Sequence, residues 1–116
     1  MPQIAVDYSA SLDEAFDRRG FALALHPVLG ATVGANPAVC KTRFRRAEET
    51  VVADGTTEQA VVHVAVGLAP GRREEAKARL TEAVLALVPQ HLKPVDGLTV
   101  HISAEVHDFA PSYRRR

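Results

Sequence analysis

The sequence predicts an α/β (α+β) domain in which two β-α-β units form one four-stranded mixed sheet, with both helices on the same face. Apolar residues follow the order strand, helix, strand, strand, helix, strand. An offset of 60 residues lays the first strand and helix on a later strand and helix. We therefore expect a single domain over 1–116, with pseudo-halves of about 1–40 and 58–108 joined by a strand at 41–53.

The first strand is predicted in MPQIAVDYS, where Pro2, Ile4 and Val6 would share one face. Pro2 stands at the first position of this strand, where proline is tolerated. Methionine is trimmed before small residues. With Met1 removed, the ring nitrogen of Pro2 would be a free secondary amine, so an ordinary strand start and a chemical role are both open.

The first helix is predicted in the run SASLDEAFDRRGFALALHPVL. Ser11 and Glu14 have the spacing of a capping box at its beginning. Gly20 would weaken the helix, and Pro27 would end it. The following LGATVGANPAVC would then be a connection.

The middle of the chain predicts two strands joined near Asp54-Gly55, a dipeptide that favours a turn. The first of these strands carries four basic residues, namely Lys41, Arg43, Arg45 and Arg46. Alternation places the first three on one face and Arg46 on the other. Such a strand can be a charged edge that resists aggregation, or part of it can face an anionic ligand.

The second helix is predicted in PGRREEAKARLTEAVLALVP, and the last strand in DGLTVHISAEVHDF. Apolar residues of the helix fall at the spacing of one buried face, and those of the strand alternate. The tail APSYRRR is expected to be a loosely held edge or terminus with solubilising arginines. One sheet face stays uncovered by helices and is not wholly polar, so self-association is expected.

Composition excludes several classes of function. Fourteen basic residues balance fourteen acidic ones, which gives no sign of a nucleic-acid or membrane partner. The single cysteine, Cys40, cannot form an internal disulfide and is expected to pack in the core. The N-terminus lacks the pattern of a signal peptide, and no run approaches the length of a membrane span. We therefore expect a cytoplasmic protein.

Histidines of the strands offer a second possible site. His101, Ser103, Glu105 and His107 would share one face of the last strand, and two histidines with a glutamate can bind zinc. Residues two apart on a strand are well separated, however, so a polar face in water or at a subunit contact is favoured. His63 is expected to be a hydrogen-bonded sheet histidine.

Several motifs together resemble the tautomerase superfamily and, more narrowly, the 5-carboxymethyl-2-hydroxymuconate Δ-isomerase family. They are MPQIAVDYS, KTRFR followed by ADG, VVHVAVGLAPGRREEAK and a closing HISAEV strand. They occur in order over nearly the whole chain. The resemblance implies a tautomerase-like homotrimer that catalyses proton transfer without a cofactor or metal, on a small-molecule substrate with carboxylates.

The resemblance also implies the site residues. Pro2 would be the general base, and Arg72 would bind a substrate carboxylate. Lys41 and Arg43 would stand in the places of an R-x-R pair. Lysine at the first of these places departs from the family pattern, because it keeps the charge but loses the planar two-point grip of arginine.

The duplication explains why one chain would have one site. Val62 stands at the place pseudo-equivalent to Pro2, and Leu12 at the place pseudo-equivalent to Arg72, so each half retains one part of the site. Neighbouring chains would complete it. Two alternatives to an isomerase stay open: another proline-dependent reaction, such as hydration or decarboxylation, and an oligomeric binding or structural paralogue without activity.

Overall fold

The computed structural model describes the whole chain, Met1–Arg116, and its strands and helices follow the predicted order. Two short 3-10 helices, Ala10–Leu12 and Pro37–Val39, lie in the connections. The main elements are β1 (Gln3–Ser9), α1 (Arg18–Val33), β2 (Lys41–Ala47), β3 (Gln59–Leu68), α2 (Glu74–Gln90) and β4 (Thr99–Asp108).

The four strands form one mixed sheet in the order β2-β1-β3-β4. The outer pairs, β1 with β2 and β3 with β4, are parallel, and the central pair is antiparallel. β2 ends at Ala47, earlier than the strand predicted at 41–53, and it does not pair with β3. The turn at Asp54-Gly55 is present, but the connection around it crosses the end of β1.

The predicted duplication is visible in the strand register. In the central pair Gln3 lies opposite Gly67, and Asp7 lies opposite His63. Adding 60 to Gln3 gives His63, and adding 60 to Asp7 gives Gly67, so the offset read from the sequence maps one pair onto the other. β1 and β3 are therefore related by a pseudo-two-fold axis. β3 continues for three further residues, Gln59–Val61, before the place equivalent to Pro2, so the second half has no chain terminus there.

Both helices cover one face of the sheet. The even-numbered residues of β1 and β3 point into the core with the apolar faces of the helices, as in Ile4, Val64, Leu25 and Val84. Val100, Ile102, Ala104 and Val106 of β4 pack against the same core, as the alternation predicts. The opposite face, which we call the open face, carries mostly polar and charged side chains, but Ala5, Val61 and Ala65 also lie on it, so it is not wholly polar, as predicted.

The start of α1 differs from the prediction. Ser11 lies in a 3-10 helix and is exposed, and the α-helix begins only after Asp17. The Asp17 carboxylate accepts a hydrogen bond from the backbone N–H of Gly20, at 3.0 Å. Phe16 is buried and forms a β-bridge with Leu92, which holds the chain before Asp17 outside helical geometry.

The end of α1 also lies beyond the predicted position. Pro27 is inside the helix, which continues to Val33 and ends at Gly34 in the left-handed conformation. Proline in a helix interior costs roughly 3 kcal/mol. The two turns that follow bury Leu29 and Val33 in the core, and burial of each side chain contributes about 1.5–3 kcal/mol, which offsets that cost.

The capping difference gives a stability test. Asp17→Ala removes the hydrogen bond to Gly20 and is expected to lower the free energy of unfolding by about 1 kcal/mol. The matched control Ser11→Ala removes an exposed hydroxyl from the site that the sequence suggested, and should change it by less than about 0.5 kcal/mol. Urea unfolding measures both. A larger loss for Ser11→Ala would show that the helix is capped at Ser11.

Neither helix has the length and apolar character needed to cross a membrane.

Candidate active site

Pro2 directly precedes β1, at the end of the sheet where β1 and β2 begin and β3 and β4 finish. It is buried, and its carbonyl accepts a hydrogen bond from the backbone N–H of Lys41, at 3.2 Å. This hydrogen bond holds the start of β1 beside the start of β2. With Met1 attached, the ring nitrogen is part of a peptide bond and carries no basic lone pair.

Met1 is partly exposed and borders a cavity of about 350 Å³. Pro2, the next residue, does not itself line this cavity. Ala69 and Pro70, in the loop after β3, form one side of the cavity, and residues after β4 form another.

Arg72 belongs to the same loop. Its Nε donates to the Val33 carbonyl at 3.0 Å, and its Nη1 donates to the Ala69 carbonyl at 3.2 Å. A guanidinium carries five N–H donors, so three remain for a ligand. Arg72 thus connects the end of α1 to the wall of the cavity beside Met1.

The positive charge of Arg72 lies at a favourable place relative to the helix dipoles. The sequence suggests a cation at the start of α2, where the helix dipole opposes it. In the structure α2 begins at Glu74, two residues later, and the Arg72 guanidinium instead contacts the last carbonyl of α1. The negative end of the α1 dipole stabilises it there.

Lys41 and Arg43 lie on the open face of β2, and both are exposed. Lys41 Nζ donates to the Val39 carbonyl at 3.4 Å, and Arg43 Nη1 donates to Gln3 Oε1 at 3.3 Å. Neither has a carboxylate partner in the chain. Both cations are therefore free to bind an anion.

The other two basic residues of β2 are occupied. Arg45 donates two hydrogen bonds to the Asp7 carboxylate, at 2.8 and 2.9 Å. Arg46, on the helix-covered face, donates to Asp13 at 2.7 Å, and this hydrogen bond holds the pKa of the Asp13 carboxyl below its usual value. The basic strand thus divides into two cations in structural ion pairs and two without carboxylate partners.

One chain does not gather all four predicted residues around one point. Pro2 is at the edge of the sheet, Arg72 is against the end of α1 on the helix-covered side, and Lys41 and Arg43 point from the open face. Their roles as base and carboxylate ligands stay predictions.

Cys40 is buried beside this edge of the sheet and packs in the core. Its thiol contacts the Asn36 carbonyl at 3.5 Å. Burial raises the pKa of the thiol, although the chain's amino terminus and Lys41 act in the opposite direction. Cys40 is therefore held as a neutral packing residue close to the N-terminus.

The histidines of the open face are hydrogen-bonded across the strands. His63 contacts Ser103 Oγ through Nδ1 at 2.7 Å and Glu105 through Nε2 at 3.0 Å. This matches the sheet histidine that the sequence suggests. No three side chains of histidine, cysteine, aspartate or glutamate converge on a point suitable for a metal ion.

The cavity beside Met1 is also lined by residues that were not predicted as site residues. Phe109, Tyr113 and Arg115, from the segment after β4, line it together with Met1. The sequence feature that could have indicated them is the pair of aromatic residues, Phe109 and Tyr113, on either side of Pro111 in a chain with only 5% aromatic residues. A larger cavity of about 590 Å³ lies between α1 and β2 and contains none of the four predicted site residues.

The family model for 5-carboxymethyl-2-hydroxymuconate isomerase matches residues 2–116. No curated protein matches the chain by sequence.

Solved structures share the fold over almost the whole chain. A 5-carboxymethyl-2-hydroxymuconate isomerase from Deinococcus radiodurans R1 is 23% identical, with a TM-score of 0.80 over 98% of this chain and 88% of that one. A 5-carboxymethyl-2-hydroxymuconate delta-isomerase is 17% identical, with a TM-score of 0.83 over 100% and 87%. A fused 4-OT described as a wild-type symmetric trimer is 20% identical, with a TM-score of 0.75 over 96% and 89%.

Proposed function

The chain belongs to the 5-carboxymethyl-2-hydroxymuconate isomerase family and is an isomerase, and on that premise we propose that Pro2 is its general base. The observation that carries the proposal is the position of Pro2. It is buried directly behind Met1, which borders the cavity, and Arg72 is hydrogen-bonded to the loop that forms one wall of that cavity.

The reaction proposed is ketonisation of an unsaturated 2-hydroxy acid. The neutral amine of Pro2 removes the proton of the 2-hydroxyl group, and the electron pair of that O–H bond forms the carbonyl. The double bonds shift along the chain, and the prolinium ion returns the same proton to the distal carbon. Atoms and charge balance without a cofactor, because the proline starts and ends as the free amine.

The base must be neutral at the working pH. The reference pKa of an α-amino group is about 7.7–8.0, and burial and nearby cations both favour its neutral form. Pro2 is buried, and Lys41 lies beside it at the start of β2, with its backbone N–H donating to the Pro2 carbonyl. Burial of Pro2 therefore favours the neutral amine that the reaction needs.

The cations support, as the substrate class, an acid with more than one carboxylate, such as 5-carboxymethyl-2-hydroxymuconate. Arg72 retains N–H donors for one carboxylate and can stabilise negative charge that develops on the adjacent enol oxygen. Arg43 and Lys41 would hold another carboxylate. Because lysine offers a point charge rather than a planar fork, we expect weaker orientation of the substrate at Lys41.

We propose that the working form is a homotrimer. Arg72 and the two free cations of β2 lie on different sides of the sheet, so a substrate at one Pro2 could meet both sets only if a neighbouring chain supplied one of them. β2 and β4 are edge strands with unpaired backbone groups, which can contact another copy. The solved structure described as a symmetric trimer shares this fold.

The test follows the ultraviolet absorbance of 5-carboxymethyl-2-hydroxymuconate or 2-hydroxymuconate with purified protein whose N-terminal mass is known. We expect the wild-type chain to accelerate ketonisation at least about 10⁶-fold over buffer at the same pH. Release of carbon dioxide instead of the 2-oxo isomer would indicate a decarboxylase. No acceleration by a chain that begins at Pro2 would overturn the isomerase proposal.

A further inference from the structure

The segment after β4 is anchored to the sheet through Phe109 and then forms a turn, where the sequence suggests a loosely held edge or terminus. The Phe109 N–H donates to the Leu68 carbonyl at 2.7 Å, which continues the pairing of β3 with β4. The Phe109 ring lies over Gly67, where any Cβ atom would collide with it. The glycine therefore leaves the space in which the segment is anchored.

The segment then turns back on itself. Tyr113 donates from its backbone N–H to the Ala110 carbonyl at 2.9 Å, and its ring stacks on Phe109 with centroids 4.0 Å apart and planes within 2°. Arg114 Nη1 donates to the carbonyls of Pro111 and Tyr113, at 3.0 and 2.8 Å. The turn is thus held by an aromatic stack and by local hydrogen bonds.

The three terminal arginines have different surroundings. Arg114 is bound to backbone carbonyls of its own turn. Arg115 lines the cavity beside Met1 and is the only charged side chain in its wall, with no hydrogen bond or ion pair from its guanidinium within the chain. Arg116 does not line the cavity. Arg115 is therefore the member of this run placed to bind an anion in the cavity.

We propose that Phe109, Tyr113 and Arg115 form a substrate subsite, with Arg115 as a further carboxylate-binding residue. The stacked rings provide an apolar wall for the unsaturated carbon chain, and Arg115 binds the carboxylate farther from the reacting enol. This inference deepens the proposed function and depends on it for the identity of the substrate. It gives the C-terminal segment a share in the preference for dicarboxylates over monocarboxylates, in addition to that of Lys41 and Arg43.

The test measures binding rather than turnover, because binding needs no base. The probes are 2-oxoadipate and 2-oxohexanoate, which have the same carbon chain and differ by the distal carboxylate. Isothermal titration would compare wild type, Arg115→Ala and the matched control Arg116→Ala, each processed to begin at Pro2. We expect Arg115→Ala to weaken 2-oxoadipate binding about tenfold or more and to leave 2-oxohexanoate unchanged.

Arg116→Ala should bind both probes as wild type does. Equal affinities of Arg115→Ala and Arg116→Ala for 2-oxoadipate would overturn the subsite, and so would a wild-type protein that does not bind this probe. Ketonisation measured on the same samples separates the two proposals. If the wild type is active and Arg115→Ala binds 2-oxoadipate as the wild type does, only the subsite is wrong. If the wild type is inactive but Arg115→Ala selectively loses 2-oxoadipate binding, only the isomerase mechanism is wrong.

Discussion

Replacement of Pro2 by alanine is expected to lower kcat/KM for ketonisation about 100-fold. General base catalysis contributes roughly 10²- to 10⁴-fold, and the primary amine of a processed N-terminal alanine would retain part of it. The loss arises because the rigid ring that fixes the lone pair is absent. The measurement is the rate of absorbance change at several pH values, with the N-terminal mass recorded for each sample.

The pH dependence adds a second readout. The amine acts as a base only when it is unprotonated, so kcat/KM of the wild type should fall as pH drops below the pKa of Pro2. Alanine at this position should shift that profile. Pro94→Ala, which changes an exposed proline in the loop before β4, is the matched control and should retain wild-type kinetics. An unchanged profile in Pro2→Ala would show that another group is the base.

Removal of the Arg72 side chain is expected to lower kcat/KM about 100-fold or more. The variant Arg72→Ala loses a charge-assisted grip on the substrate carboxylate and stabilisation of charge on the reacting oxygen. It also loses hydrogen bonds to the Val33 and Ala69 carbonyls, which should cost about 1–2 kcal/mol of stability. Urea unfolding would separate this structural effect from the kinetic one.

The neighbouring arginine provides the control for Arg72. Arg73 is exposed, precedes α2 and makes no capping hydrogen bond with its side chain, so Arg73→Ala should retain nearly all activity. Arg72→Lys restores the charge without the planar fork and should recover only part of kcat/KM. Equal activity in Arg72→Ala and Arg73→Ala would contradict the role of Arg72 in binding substrate.

Strand alternation predicted the sheet well, because a half-covered sheet requires period-two patterning. Ile4, Val64 and Ile102 all point toward the helices as their spacing indicates. The repeat offset was also informative, since it agrees with the register of the central strand pair.

The limits of α1 could not be read from local signals. Ser11 and Glu14 match a capping pattern, but burial of Phe16 and its bridge to Leu92 move the helix start to Asp17. Pro27 is a helix breaker locally, yet core burial beyond it sustains the helix. In both places tertiary contacts outweigh intrinsic preference.

The candidate site was predicted in part, because it joins residues far apart in the sequence. Pro2 and Arg72 carry recognisable motifs, whereas the position of Arg115 depends on Gly67, which admits the Phe109 ring. A terminal run of three arginines gives no local sign that one of them lines a cavity. Only the fold of the segment distinguishes Arg115 from its neighbours.

In the proposed mechanism, the free amine of Pro2 performs the proton transfer. The most direct measurement compares ketonisation rates of two preparations of the same sequence, one that begins at Pro2 and one that retains Met1, each verified by mass. We expect full activity in the first and a loss of about 100-fold or more in the second, since an amide nitrogen cannot accept the proton. Equal rates in the two preparations would contradict it.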